Sequence, residues 1–352
     1  MSVSANRWIV LLCCVSFVCA ATCVNAASFN ATSSGPWSSA GTWSPAGGPP
    51  SAADGASIGY NGATLVDLTA DATIATLGLG NAGQLDLNGH KLVAGTLDMV
   101  ANLGSPILVQ DGGTLLAGEL QMTTINAGVQ AQLTLGPNDN VTTQIIVQNK
   151  NTSLVVNRDL TLSASLFMFF GAKVDVGSHV VTAGQLYSQG DSQFLRLPAS
   201  HIDVGSLRVV GGSFSLQSGD KIGVVDVGYQ GLATVMLTPT AATGITVTDK
   251  ITVFDFDSQL NLAFDQQSDA GAWALRWANP QGGNRVAQLL DLQAAGKVTW
   301  NRPDVVEVVD RGDGFTYVMI PIPEPTGVAL ASVGLALLLS RLRVANGATV
   351  KS

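Results

Sequence analysis

The chain has 352 residues, 46% of them apolar, 12% charged and 6% aromatic, and an excess of acids gives it a net charge of −8. That balance argues against nucleic acid or anionic lipid as a partner. All four cysteines, Cys13, Cys14, Cys19 and Cys23, lie within the first 26 residues, so disulfides and thiolate metal sites are excluded from the rest of the chain.

Residues 1–26 read as a secretory signal peptide. Arg7 precedes an apolar stretch from Trp8 to about Cys19, and Val24-Asn25-Ala26 supplies a small-residue cleavage site, with Val24 and Ala26 at its two specificity positions. A lipoprotein signal fits poorly, because Ala20-Ala21-Thr22-Cys23 places an alanine where a larger apolar residue is needed. The expectation is an N-terminal signal helix handed to the secretion machinery and removed after Ala26.

Residues 27–322 carry 24 Asp and Glu against 13 Lys and Arg, and only Glu119 and Glu307 among the acids are glutamates. Lys and Glu, the usual surface helix formers, are scarce, while Gly, Thr, Val, Asn and Asp abound. The profile is all-β with many tight turns. It also suits loose Ca2+ binding, and no other cofactor is expected.

The interior, over residues 27–250, is repetitive. Leu85-Asp-Leu-Asn-Gly-His-Lys-Leu-Val-Ala-Gly-Thr-Leu97 matches Val174-Asp-Val-Gly-Ser-His-Val-Val-Thr-Ala-Gly-Gln-Leu186 without a gap at an offset of 89 residues. A looser echo follows at His201-Ile-Asp-Val-Gly-Ser-Leu207, and Gly-x-Leu strands recur at Gly113-Thr-Leu115 and Gly118-Glu-Leu120. Short alternating strands broken by Gly, Asn or Asp at intervals near 20 residues predict an elongated parallel β-solenoid, or β-helix. Roughly twelve coils at about 4.8 Å each would make a rod near 60 Å long. A twisted β-sandwich also accommodates short strands with glycine turns; the low aromatic content and the Leu, Val and Ile spacing favour the solenoid. The repeats resemble the autotransporter-associated strand repeats of bacterial surface proteins. So does the segment Trp37-Ser-Ser-Ala-Gly-Thr-Trp43, followed by Gly47-Gly-Pro-Pro50 and Asp54-Gly-Ala-Ser-Ile58.

From about Lys250 larger residues appear, and residues 251–320 read as a β-rich C-terminal cap. Phe254-Asp-Phe-Asp-Ser-Gln-Leu-Asn-Leu-Ala-Phe264 alternates as one strand. Asp269 can N-cap a short helix carrying Trp273 and Trp277 one turn apart. Residues 305–309 and 315–320 read as a closing hairpin that covers the open solenoid edge.

The last residues, 321–352, combine three elements. Pro321-Ile-Pro-Glu-Pro325 is rigid and extended. A run apolar on every side follows, giving a transmembrane helix over about 327–340, and Arg341 and Arg343 form a cytoplasmic stop. This order resembles the PEP-CTERM sorting signal of Gram-negative and related bacteria. The resemblance implies that Pro323, Glu324 and Pro325 are recognised by an exosortase, a membrane protease-transpeptidase. It further implies an inner-membrane precursor destined for the cell surface or an extracellular polysaccharide matrix. The stop is only two arginines, and residues 344–352 extend beyond it.

Residues with catalytic or ligating chemistry form no constellation in the sequence. His90 and His179 share a repeat phase but lie about four coils, roughly 19 Å, apart, too far for one ion. Asp86, Asp175 and Asp203 alternate with aliphatics and so face water. Asp255, Asp257, Asp265 and Asp269 cluster but lack the EF-hand spacing, with no glycine at the sixth position and no glutamate at the twelfth. Trp273, Trp277 and Trp300 fill a cap core or stack on sugar rings, so Trp273, Trp277, Asp255 and Asp257 are the candidate carbohydrate or cation contacts. No phosphate loop, zinc signature or Gly-x-Ser-x-Gly elbow is present. The expectation is a noncatalytic exported surface or matrix protein. The alternatives are a polysaccharide lyase or glycosidase on a β-helix and a carbohydrate-binding adhesin. Terminal sequencing of material outside the cell should start at Ala27 with no lipid on Cys23; retention of residues 8–24 would overturn the cleavage site.

Overall fold

The structure, a computed structural model, describes residues 26–228, 233–238, 244–254, 258–262, 271–301, 303 and 306–320. The expected signal helix (residues 1–25 of it) and the whole tail, including the helix over about 327–340, lie outside the described residues. Among the described residues no helix is long and apolar enough to cross a membrane.

The body is a parallel β-solenoid of about nine turns. One wide, fifteen-stranded sheet runs its length. From the N-terminal end its parallel levels begin with Ser28–Ala31, Gly55–Ile58, Ala72–Gly80, Lys91–Ala101, Thr114–Thr124 and Asn140–Gln148. They continue through Leu160–Phe169, Val181–Gln189, Ile202–Val210, Lys221–Val227, Ile245–Val253 and Trp273–Ala278. Short strands on the other side of each coil stack into three four-stranded sheets. The sequence spacing predicts roughly twelve coils; the regular solenoid is shorter because the outermost wide-sheet levels, Ser28–Ala31 and Trp273–Ala278, are tied into the two end caps.

Parallel register puts like on like. Leu77, Leu97, Leu120, Ile145, Leu166, Leu186, Leu207, Val225 and Ile251 are successive partners across the wide sheet, and every one is buried. On the opposite side Leu133, Leu154, Val174 and Phe194 form a shorter ladder. The two matched segments of the sequence occupy equivalent coil positions: Leu85 and Val174 lie on short strands, and Leu97 and Leu186 fill the same ladder. Every level between hydrogen-bonds to two neighbours, so the aliphatic core is continuous through the rod.

The Ala-Gly element of the repeat has a steric cause. In the strand Lys91–Ala101 the burial alternation slips at Gly95-Thr96, so Leu92 and Ala94 point inward before the bend, and Leu97 and Met99 after it. The strand turns a corner there, and the next coil passes close by. A Cβ on Gly118 would sit 2.6 Å from the Gly95 carbonyl oxygen, one on Gly184 2.7 Å from that of Ala164, and one on Gly205 2.7 Å from that of Gly184. Where a neighbouring coil carries two residues in place of one glycine, as Ser163-Ala164 does against Gly184, the register shifts by a bulge.

Both ends are closed. At the N-terminal end Trp43–Ser44 pairs antiparallel with Ser28–Ala31, and the buried Trp37 and Trp43 rings meet edge-on at 5.0 Å. At the other end the expected closing hairpin is present as Glu307–Asp310 against Phe315–Met319, laid antiparallel on Trp273–Ala278. Two cap expectations are corrected. Trp273 and Trp277 sit on a strand, not a helix, because Trp273–Ala278 extends the wide sheet; the helix in this region is Val286–Ala294, with Leu289 buried beneath it. The single strand expected over residues 254–264 is replaced by the end of Ile245–Val253, an exposed Phe254, and a separate strand Gln259–Leu262 in another sheet.

The corner glycines give a direct test. Gly205→Val should lower stability by about 1–3 kcal/mol, because the coil below presents unyielding backbone. Gly283→Ala, whose Cβ would have only Pro280 Cγ nearby at 3.5 Å, should stay within about 0.5 kcal/mol. Chemical denaturation of the two variants beside the wild type reads the difference.

Candidate functional site

The wide strands leave their sheet at a second corner, where the chain needs a left-handed residue. Asn149, Phe170 and Gly190 occupy it on three successive coils, with φ of 73°, 54° and 66°. Each donates its N–H to the next coil in the same way: Asn149 to Phe169, Phe170 to Gln189 and Gly190 to Val210. Asn and Gly tolerate this conformation; a bulky L-residue in it costs about 1–2 kcal/mol. Phe170 is the one bulky side chain among the described non-glycine residues with positive φ. Burial does not offset the strain, since Phe170 is 58% exposed.

Beside Phe170 runs a 680 Å³ groove along the outer side of the sheet made by Ala131–Leu135, Thr152–Val156, Lys173–Asp175 and Gln193–Leu195. Gln132, Ser153, Lys173 and Gln193 are register partners across it and form an outward polar stripe. Lys150, Asn151 and Asp191 line the corner side. Phe170 adjoins Phe169 at 6.1 Å, and Phe169 in turn meets Phe167 and Tyr187 at 5.8 and 5.2 Å. These rings carry the aromatic surface round the corner onto the wide sheet. Burial raises the Tyr187 hydroxyl pKa, and the nearby Arg208 charge partly opposes it.

The sequence-derived candidates are dispersed. His90 and His179 occupy equivalent turns four levels apart, half-buried, with Nδ1 3.9 Å from Asp71 and 3.5 Å from Asp159 respectively. Asp159 also accepts the Val180 N–H, and that bond, with His179, holds its carboxyl below the usual range. Asp86 and Asp175 face outward and accept turn N–H groups from Asn88 and Gly177. Trp277 is 2% exposed, donates Nε1–H to Asp249 and lies under Arg285, so it is a core residue of the cap and not a surface platform. Trp273 points the other way, half-buried, with Arg276 over its ring and Tyr317 edge-on. Asp255, Asp257, Asp265 and Asp269 lie outside the described residues, as do Val24, Pro323, Glu324, Pro325, Arg341 and Arg343; Ala26 is described and exposed. Among the described residues no three His, Cys, Asp or Glu side chains are placed to hold a metal ion.

Acids of another kind were not expected. Asp54, Asp139 and Asp220 each stand just before a wide strand and point inward. Each accepts the backbone N–H three residues earlier, from Ser51, Gly136 and Gln217. Each also accepts an N–H from the preceding coil, from Ala27, Leu115 and Ile202. The bonds from Ser51, led by its hydroxyl, depress the Asp54 pKa. Asp220 adds a bidentate pair with Arg196 at 2.7 and 2.6 Å, both side chains being buried. These carboxylates are spent on the fold. A different acid, Asp98 on the outer face of the wide sheet, has its pKa raised by burial, and the same charge helps raise Tyr60.

No family model, curated protein or solved structure matches the chain.

Asp220→Asn should destabilise the rod by about 3–5 kcal/mol, because it strands Arg196 without its counter-charge. Asp86→Asn, which keeps a short acceptor in an exposed turn, should change stability by less than about 0.5 kcal/mol. Denaturant midpoints of both variants check the contrast.

Proposed function

We propose that this is an exported, noncatalytic surface or matrix protein: a rigid β-solenoid carried out by a signal peptide and sorted through a PEP-CTERM/exosortase system. The observation that carries it is how closely the sorting motif follows the closing strand in the sequence. The rod's closing strand Phe315–Met319 ends directly before Ile320 and the Pro321-Ile-Pro-Glu-Pro325 element, so the sorting motif follows a finished cap with almost no linker. A protease at the membrane then meets an extended proline segment flanked by a body that resists unfolding.

The other boundary supports the same reading. The Ala27 nitrogen lies 2.8 Å from Asp54 Oδ1. Cleavage after Ala26 makes that nitrogen an α-ammonium beside a carboxylate already held ionised by Ser51. Processing would therefore strengthen the N-terminal cap. Secretion machinery and an exosortase-type protease are the partners this route requires, with an extracellular polysaccharide layer as the destination. A glycosidase would need two carboxylates about 5–10 Å apart. The lining of the groove beside Phe170 contains a single one, Asp191.

The route is tested in the native host with Glu324→Ala, which leaves the rod untouched. The variant should accumulate as an unprocessed, membrane-held precursor, seen as a larger species in the membrane fraction. Processing and export equal to wild type would overturn the sorting assignment.

A further inference from the structure

We propose that the groove beside Phe170 binds a segment of acidic polysaccharide, a chain of uronate-bearing sugars. The inference gives a ligand class to the outer surface of the exported protein described above, and it rests on that reading only for where the ligand is met.

Three independent features converge on this ligand. The first is Phe170 itself. The fold would accept Asn or Gly at this corner, as Asn149 and Gly190 show one coil to either side. An exposed phenyl ring held there against its backbone preference contributes little to the core, and an apolar ring face presented to solvent suits the C–H face of a pyranose. The second is the stripe of Gln132, Ser153, Lys173 and Gln193 with Asn151 beside it. Amide and hydroxyl groups supply donors and acceptors side by side, the pairing that sugar hydroxyls require. Their rungs repeat at about 4.8 Å, close to the length of one sugar unit, so four coils present a few equivalent subsites along the axis.

The third feature is charge. In a chain of net charge −8, Lys150 and Lys173 both line this one groove. Among the described residues neither is in an ion pair. Two ammonium groups against Asp191 leave the groove locally cationic, which favours a carboxylate-bearing sugar over a neutral one. Nucleic acid shares the ring and the anion, but a strand is held by stacking successive bases on several aromatic side chains, and Phe170 is the one aromatic residue in this lining.

The test uses the full chain in mild detergent and alginate, a linear polyuronate, as the probe in affinity electrophoresis and calorimetry. Alginate should bind, more weakly as salt rises, and neutral dextran should not. Phe170→Asn should weaken alginate binding about tenfold while leaving the unfolding midpoint unchanged or raised, because it restores the residue type this corner prefers. A purely structural role for Phe170 predicts the reverse. Lys150→Gln with Lys173→Gln should abolish binding and its salt dependence without moving the midpoint. Alginate binding unaffected by Phe170→Asn, equal binding of dextran, no binding by the wild type, or displacement of alginate by an oligodeoxynucleotide at lower concentration would each overturn the proposal. Loss of export in the host leaves these measurements intact, so the two assignments fail separately.

Discussion

The structure depends on one constraint: a single coil of this chain has an apolar inner edge that it cannot bury alone. Only stacking at the spacing of backbone hydrogen bonds, about 4.8 Å, brings the next coil's aliphatics close enough to cover it. Much else follows from that distance. Register is forced, because a slip of one residue would turn the whole inner set outward. Like residues must stack on like, which is why Leu97, Leu120, Ile145 and Leu166 share a column. The corner of the wide strand becomes so close to its neighbour that a Cβ at Gly184 or Gly205 would meet backbone oxygen. The ends become liabilities, since each would expose an unpaired edge, and antiparallel strands with packed aromatic rings close both.

The same constraint sets what the sequence reveals. Stacked columns of similar residues write themselves into the chain as a repeat, so the match between residues 85–97 and 174–186 was visible, with the solenoid it implies. Features that arise between coils are not local and leave weaker traces. Asp139 and Asp220 read like ordinary turn acids, and their inward role depends on N–H groups of Leu115 and Ile202 one coil away. A spacing of four, as between Trp273 and Trp277, fits one helical turn and equally one face of a strand. The pairing with Phe315–Met319 shifts between Trp273 and Leu275, which sends one ring out and the other into the core. The groove is assembled from four coils, so its lining is scattered over more than sixty residues of sequence, from Gln130 to Gln193. Its one local signal was the aromatic run Phe167-Met-Phe-Phe170, where the last ring breaks the alternation of the strand before it.

Inner and outer positions carry different obligations. The inward column varies only among aliphatics. The outward column beside it passes through Gly78, Asp98, Gln121, Ile146, Phe167, Tyr187, Arg208 and Asp226 in successive levels. Packing does not dictate that second series, so its chemistry is free to answer to something outside the rod. Even there the fold makes local accommodations. The Tyr60 ring lies over Gly78 and Gly80, where a Cβ would come within 3.1 and 2.7 Å of it. Arg208 pairs with Asp226 at 3.1 Å.

Phe170 falls into neither class, and that sets it apart from the rest of the surface. An outward residue on a strand adds a side chain at little expense to the backbone, whereas Phe170 sits where the backbone itself is strained by any bulky L-residue. The neighbouring coils satisfy the same turn with Asn149 and Gly190 and make the same hydrogen bond, so geometry supplies no reason for a phenyl ring. Core packing supplies none either, because most of the ring is exposed. What remains is the surface it helps to form: a ring at the edge of a groove that otherwise consists of amides, hydroxyls, two lysines and one carboxylate. A rod stabilised by its columns can tolerate such a local penalty, since the cooperative stack on either side holds the corner in place. The strain at Phe170 is thus sustained by the same coil-to-coil pairing that makes the solenoid, and the groove is the part of the structure that gains from it.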